Sequence, residues 1–369
     1  MTRSRLLVTL AASAAGLLLA SLAPSALASA APARSARASA SGAVIGGRVK
    51  VDAKAIQAYW TPARMASAKN VDIVIAKTPV TSRLHEVHAG KPGAVAGSTP
   101  AAAGLAGRIA GVTPDAFTYP FPYSSWNVPG GYYKKYPWAV NGKIFFTNDG
   151  GNYVCSGTVV PSVNGTGNEN EVWTAGHCLV NTEVNDQALD TFFEFVPAYN
   201  GTKIGRAVNP LGVFTWNGTW ETTTAWYYNR DLSEDEAALL MNPNAKGQIL
   251  GNRTGWAGFA WNQSTDQQFV AFGYPAASPY DGTLQVTDLG ASAVLDTGIG
   301  GARPYPIGIG NPMTGGSSGG AWFMGWSELG TGYVNGHNDY KYNSQPLAMY
   351  SPYQDSTSNL VRCFGAASC

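Results

Sequence analysis

Residues 173–178 read Trp173-Thr174-Ala175-Gly176-His177-Cys178, an apolar segment that narrows through two small residues to a histidine. The text on either side of it is strand-like. Residues 138–140, 143–146, 155–160, 191–196, 269–272 and 283–287 are short runs of β-branched, aromatic and aliphatic residues. Gly, Asn, Asp and Pro clusters separate them, and no amphipathic pattern of three helical turns interrupts the series. Many short strands with regularly spaced turn signals predict an all-β sandwich or barrel.

The 369-residue chain has 13% charged residues and a net charge of +1, which argues against a nucleic-acid binder or a polyacidic tail. Four Cys are too few for a disulfide-built miniprotein. The average hides a split. Through position 116 there are 13 basic and 4 acidic residues, and beyond it 11 basic and 19 acidic. Only Tyr59 and Trp60 among the aromatic residues precede Phe117.

Arg3 and Arg5, an apolar run from Leu6 to Ala20, and Ala26-Leu27-Ala28 predict a secretory signal over residues 1–28. The protein is therefore expected to be exported, with no membrane attachment after signal cleavage. Residues 29–116, rich in Ala, Gly and Ser, are expected to be a propeptide or linker. A short helix near residues 53–58, a short strand at 71–75 and a low-complexity linker from 90 to 107 are read within them. Its basic charge should draw this segment to the acidic domain at 117–369, making it a partner of its own chain.

Chemistry has few places to reside. The histidines are His85, His88, His177 and His337, and the first two lie in the basic leader without further metal ligands. Thr314-Gly315-Gly316-Ser317-Ser318-Gly319-Gly320-Ala321-Trp322 is more than a Gly-Ser linker, because Pro312-Met313 and Ala321-Trp322-Phe323 flank it. Between His177 and Ser318 lies Asp235 in Asp235-Glu236-Ala237-Ala238-Leu239. Asp231 and Glu236 compete with it. Asp235 opens an alternating apolar run, whereas Asp231 reads as a turn residue beside Arg230.

Thr-Ala-Gly-His-Cys, Asp-x-Ala-x-Leu and Gly-x-Ser-Gly-Gly, in that order, resemble the chymotrypsin/trypsin family of serine peptidases. Gly273-Tyr274-Pro275 resembles a landmark of its bacterial branch, which includes glutamyl endopeptidases. The resemblance implies two six-stranded antiparallel β-barrels and a serine endopeptidase working through an acyl-enzyme. A hydroxyl needs an imidazole to take its proton, and a buried carboxylate fixes that imidazole. Ser318 is thus the expected nucleophile, His177 the base and Asp235 the orienting acid. Gly316 and Ser318 are the expected oxyanion donors. No metal or organic cofactor is implied; the expected partner is a polypeptide substrate, and the expected state a monomer.

Gly316-Ser317-Ser318-Gly319-Gly320 also fits the elbow of α/β-hydrolases. Glu328 and His337 follow Ser318 too closely for that fold's crossover helices, so an esterase is disfavoured. A catalytically idle polypeptide-binding relative is a further alternative, although no triad member is missing. In the resembled family, cysteines at the places of Cys155 and Cys178 form a disulfide. Cys363 and Cys369 would then close a C-terminal loop, but four Cys allow three pairings. Pro312 stands where trypsin-like members carry an Asp for basic substrates. Val334-Asn335-Gly336-His337 resembles a strand of glutamyl endopeptidases, so His337, with Thr314, is an expected substrate-binding residue preferring acidic side chains. Ser317 stands where zymogens of the trypsin type carry an Asp, so activation by a freed N-terminus is not expected.

Overall fold

The computed structural model describes residues 36–38, 43–87, 89–100, 121–162, 169–180, 182, 187–203, 208–299, 304–327 and 330–366. The signal segment 1–28, His88, the leader's end at 101–116, Glu328 and Cys369 lie outside them. Among the described residues no helix is long and apolar enough to cross a membrane.

The first half is a closed antiparallel barrel of six strands. Phe214–Thr223, Thr191–Pro197, Asn141–Asn148, Gly151–Val160, Glu171–Thr174 and Ala237–Met241 follow one another, and the last pairs back onto the first. Local chemistry sets the first hairpin. Asp149 and Gly150 both have positive φ, 45° and 78°, as a two-residue type I′ turn requires, and Asn148 faces Gly151 across it. Closure depends on a corner in Phe214–Thr223. Its first two residues pair with Thr191–Pro197, and the register to Ala237–Met241 shifts between Trp216 and Trp220. Gly218 lies in that shift at φ 95°, where a Cβ would stand 2.0 Å from the Val49 carbonyl oxygen. Only glycine fits.

The second half is one long curved sheet. Its path runs through Tyr340–Tyr342, Gln345–Ser351, Ile307–Gly310, Val286–Asp296, Gln268–Gly273, Ala321–Ser327, Thr331–His337 and Gly258–Trp261. The all-β, trypsin-like architecture expected from sequence is the one observed. Helices between the strands are short, the longest in this domain being Ser356–Arg362.

The leader is not a free linker where it is described. Helix Ala53–Tyr59, capped by Asp52, and Ile73–Ile75 occur where a helix and a strand were read. Residues 90–100, read as linker, include Gly93–Val95, which pairs with Gly258–Trp261. Val44–Arg48 adds to Phe214–Thr223, and Thr81–Arg83 adds to Val286–Asp296. Trp60 and Ile56 cover the outer face of the first barrel against Phe145, Val154 and Val196. Residues 141–147 are therefore buried on both faces: Ile144 and Phe146 point into the barrel core, and Phe145 points to the leader.

Candidate active site

His177 sits in a single 3-10 turn, Gly176–Cys178, directly after Glu171–Thr174. Gly176 permits this turn, since a Cβ there would lie 2.5 Å from the Trp226 ring and 2.8 Å from Asp235 Oδ1. The turn lets one carboxylate take two bonds from one residue. The backbone N–H of His177 donates to Asp235 Oδ1 at 2.7 Å, and its Nδ1–H donates to Oδ2 at 2.8 Å. Such bidentate seating fixes both the ring orientation and the tautomer, leaving Nε2 as the working atom. Asp235 is fully buried between the 3-10 turn Leu232–Glu234 and Ala237–Met241. Its competitors point elsewhere. Asp231 accepts from the backbone and hydroxyl of Ser233, and Glu236 accepts from the Ser358 hydroxyl.

Ser318 arrives from the other half. Its loop is pinned across the interface by backbone and one serine. Ser156 donates from its N–H to the Ser318 carbonyl at 2.7 Å and from its hydroxyl to the Gly316 carbonyl at 2.9 Å. The same hydroxyl accepts from the Tyr274 N–H at 2.9 Å. Gly319, at φ 78°, lets the loop touch the strand before His177, where a Cβ would stand 2.1 Å from Thr174 Oγ1. Asn338 braces the loop from behind. Its side chain accepts from Trp322 Nε1 and Asn311 Nδ2 and donates to the Phe272 carbonyl. His177 and Ser318 thus lie on loops packed against each other, though Nε2 of His177 has no hydrogen-bond partner in this structure. The N–H of Gly316 holds the carbonyl oxygen of Val71, from the leader, at 3.1 Å.

The electrostatics are those of a charge-stabilising pocket. Burial pulls the His177 imidazole down in pKa, but the Asp235 carboxylate more than offsets it and raises it to about 10. Burial pushes Asp235 up, and the His177 cation brings it below the usual range. Asp339 is a residue that sequence reading missed. Its Oδ1 lies 3.3 Å from His177 Nδ1, whose single N–H is already directed at Asp235. Burial, and then the Asp235 charge, hold Asp339 well above the carboxylate range, so it is a neutral acid with a proton to offer the pair. Like charges this close do not both ionise. Ser156, Asn338 and Asp339 gave no signal of their own; only adjacency to His337 marks the last two.

His337 departs from expectation. It is fully buried, its Nε2 faces the Asp235 carbonyl oxygen at 2.9 Å, and its ring packs against Trp173. Burial lowers it to about 4, so it is neutral and donates to that carbonyl. That contact supports the Asp235 backbone from behind. Thr314 is half-buried, and its hydroxyl is engaged with both backbone groups of Ala277. Cys155 and Cys178 form a disulfide that ties the His177 turn to the neighbouring strand. The expected partner of Cys363, Cys369, lies outside the described residues.

Two groups of metal-ligand type gather among the described residues. One is the disulfide pair with His177. The other is His177, Asp235 and Asp339, whose imidazole N–H is already committed to a carboxylate. Neither offers an open ligand set.

No protein-family model and no curated protein matches the chain. Solved structures do. Protease Anisep from Arthrobacter nicotinovorans is 36% identical, over 62% of this chain and 96% of its own length, with a TM-score of 0.51. A thermostable serine protease, AL20, from an extremophilic microorganism is 29% identical, over 63% of this chain and 98% of its own, with a TM-score of 0.53.

Proposed function

Because this chain belongs to the chymotrypsin/trypsin-like serine peptidases, we propose that it is an exported endopeptidase in which Ser318, His177 and Asp235 carry out acyl transfer. The observation that carries the reading is the double hydrogen bond from His177 to buried Asp235 on a turn packed against the Ser318 loop. Ser318 Oγ attacks the scissile carbonyl while Nε2 of His177 takes its proton, and the imidazolium then returns that proton to the leaving amine. Asp235 stabilises the cation and keeps Nδ1 protonated, and neutral Asp339 adds a donor without adding charge. Water repeats the sequence on the acyl-enzyme. Gly316 and Ser318 supply the oxyanion N–H groups, each worth about 3–4 kcal/mol in the transition state.

Export is supported by the Arg3/Arg5 and Leu6–Ala20 signal pattern and by the Cys155–Cys178 disulfide, which suits an oxidising compartment. The substrate is a polypeptide, and the enzyme works as a monomer. A preference for acidic side chains before the scissile bond is kept, with Lys341 as its carrier because its charge interacts with Asp72, which lies against Gly315 of the nucleophile loop. The Lys341 ammonium is buried and donates to the carbonyls of Asn311 and Pro346, both at 2.8 Å, which uses two of its three N–H groups. Burial lowers it to about 7, and Asp72 is the first charge drawing it back up.

Prolonged incubation of the full chain with a fluorophosphonate, followed by peptide mapping, tests the mechanism. The expected adduct is on Ser318 and is lost in His177→Ala; an adduct that persists in that variant ends the proposal. Cleavage of a peptide library tests the preference. Acidic residues should dominate and lose their advantage in Lys341→Met, whereas a dominant apolar residue in the unmodified enzyme excludes Lys341 as a determinant.

A further inference from the structure

We propose that residues 69–75 of the leader are a strap that closes the cleft between the two halves, so that the intact chain is held inactive by its own backbone. The strap touches both halves. Lys69–Asn70 pairs in parallel with Gly151–Val160 in the first barrel, and Ile73–Ile75 pairs in parallel with Tyr340–Tyr342 in the second sheet. Between these anchors the chain crosses the site. The Val71 carbonyl occupies the N–H of Gly316, the expected oxyanion donor, at 3.1 Å. Val71 also walls a cavity of about 280 Å³ beside His177, together with Tyr153 and Asp190. Asn70 and Asp72 press on Gly315 so closely that a Cβ there would stand 2.3 Å from Asn70 Nδ2 and 2.8 Å from the Asp72 Cβ. Under this cover Ser318 is 3% exposed and His177 2%. A nucleophile and base that are both sealed from solvent cannot meet a polypeptide substrate until something moves.

The strap is short, and parallel pairing is slightly weaker per residue than antiparallel pairing. Its strength comes from tethering. Upstream, Val44–Arg48 and helix Ala53–Tyr59 fasten the leader to the first barrel; downstream, Thr81–Arg83 and Gly93–Val95 fasten it to the second sheet. A segment held at both ends meets its groove at high effective concentration, and a cut in either tether forfeits that advantage. Release by cutting also suits a chain with Ser317 where an N-terminal ion pair would need an Asp.

The proposal rests on the catalytic reading above, and the test separates the two. The rate of fluorophosphonate adduct formation on Ser318 is compared in the full chain, in the double variant Val71→Pro/Val74→Pro and in Asp72→Ala, with circular dichroism as the control for folding. The proline variant should react about tenfold faster or more, the factor expected when the open form is a tenth or less of the intact population. Asp72→Ala should move in the same direction; it keeps every backbone bond and serves if the double variant fails to fold. Equal rates in all folded forms overturn the strap while leaving the catalytic reading standing. No adduct on Ser318 in any form overturns both. Rapid self-cleavage of the Val71–Asp72 bond in the purified chain would make the segment a substrate and also overturn the proposal.

Discussion

The half that carries His177 and Asp235 is a ring, whereas the half that carries Ser318 is an open path of strands ending, at both extremes, on leader segments. In the ring, Asp235 holds the backbone and the side chain of His177 at once. The nucleophile loop has no such enclosure. Its place is set by Asn338 from behind and by contacts reaching over from the ring, the two bonds from Ser156. The contrast suggests that the acid–base pair is preassembled, whereas the nucleophile is docked.

The sharpest way to break the contrast is on the ring side. Asp235→Asn should keep the fold and lower kcat by about 10⁴-fold, because the amide favours the wrong imidazole tautomer; a loss below tenfold in steady-state assays of strap-released enzyme would show that the pair is not a unit. Next in size is the staple. Replacing Cys155 and Cys178 by Ser opens a loop whose ends are 23 residues apart, and chemical denaturation should register a loss of about 3 kcal/mol. Ser156→Ala follows. It strands the Tyr274 N–H and the Gly316 carbonyl, so about 1–3 kcal/mol of stability should go, with kcat falling more than KM rises. A fall confined to stability would mean the Ser318 loop is positioned without its anchor. Smallest is Asp339→Asn, which preserves a neutral donor at the same place and should change kcat/KM by no more than about 1 kcal/mol in equivalent terms.

A pH measurement sharpens the same comparison. The folded pKa of His177 is raised from 6.5 to about 10, so its contribution to stability is complete below about pH 6.5 and fades as pH rises through about 10. Thermal unfolding across that window should show a decline in the parent chain that is flatter in His177→Ala.

The residues that announced themselves in the sequence did so because their chemistry is local. The glycines around His177 and Ser318 are demanded by approaches near 2 to 3 Å that any side chain would block. Ser156, Asn338 and Asp339 act across large separations in the chain, and an isolated Ser or Asn in a strand carries no mark of its distant partner. His337 shows the other limit. The residue was conspicuous, but which way it faces depends on strand register, and one step of register exchanges the two sides of a sheet. Leader text that reads as linker pairs as strand because strand addition needs backbone amides rather than particular side chains, so Ala- and Gly-rich text such as Gly93-Ala94-Val95 carries no compositional signal.

The leader strands have a further consequence. Val44–Arg48 occupies the outer flank of Phe214–Thr223, and Gly93–Val95 that of Gly258–Trp261. An enzyme stripped of its first hundred residues would display two bare rows of amides and carbonyls, and unprotected rows of that kind recruit other chains. Maturation would thus exchange a quiet surface for an adhesive one.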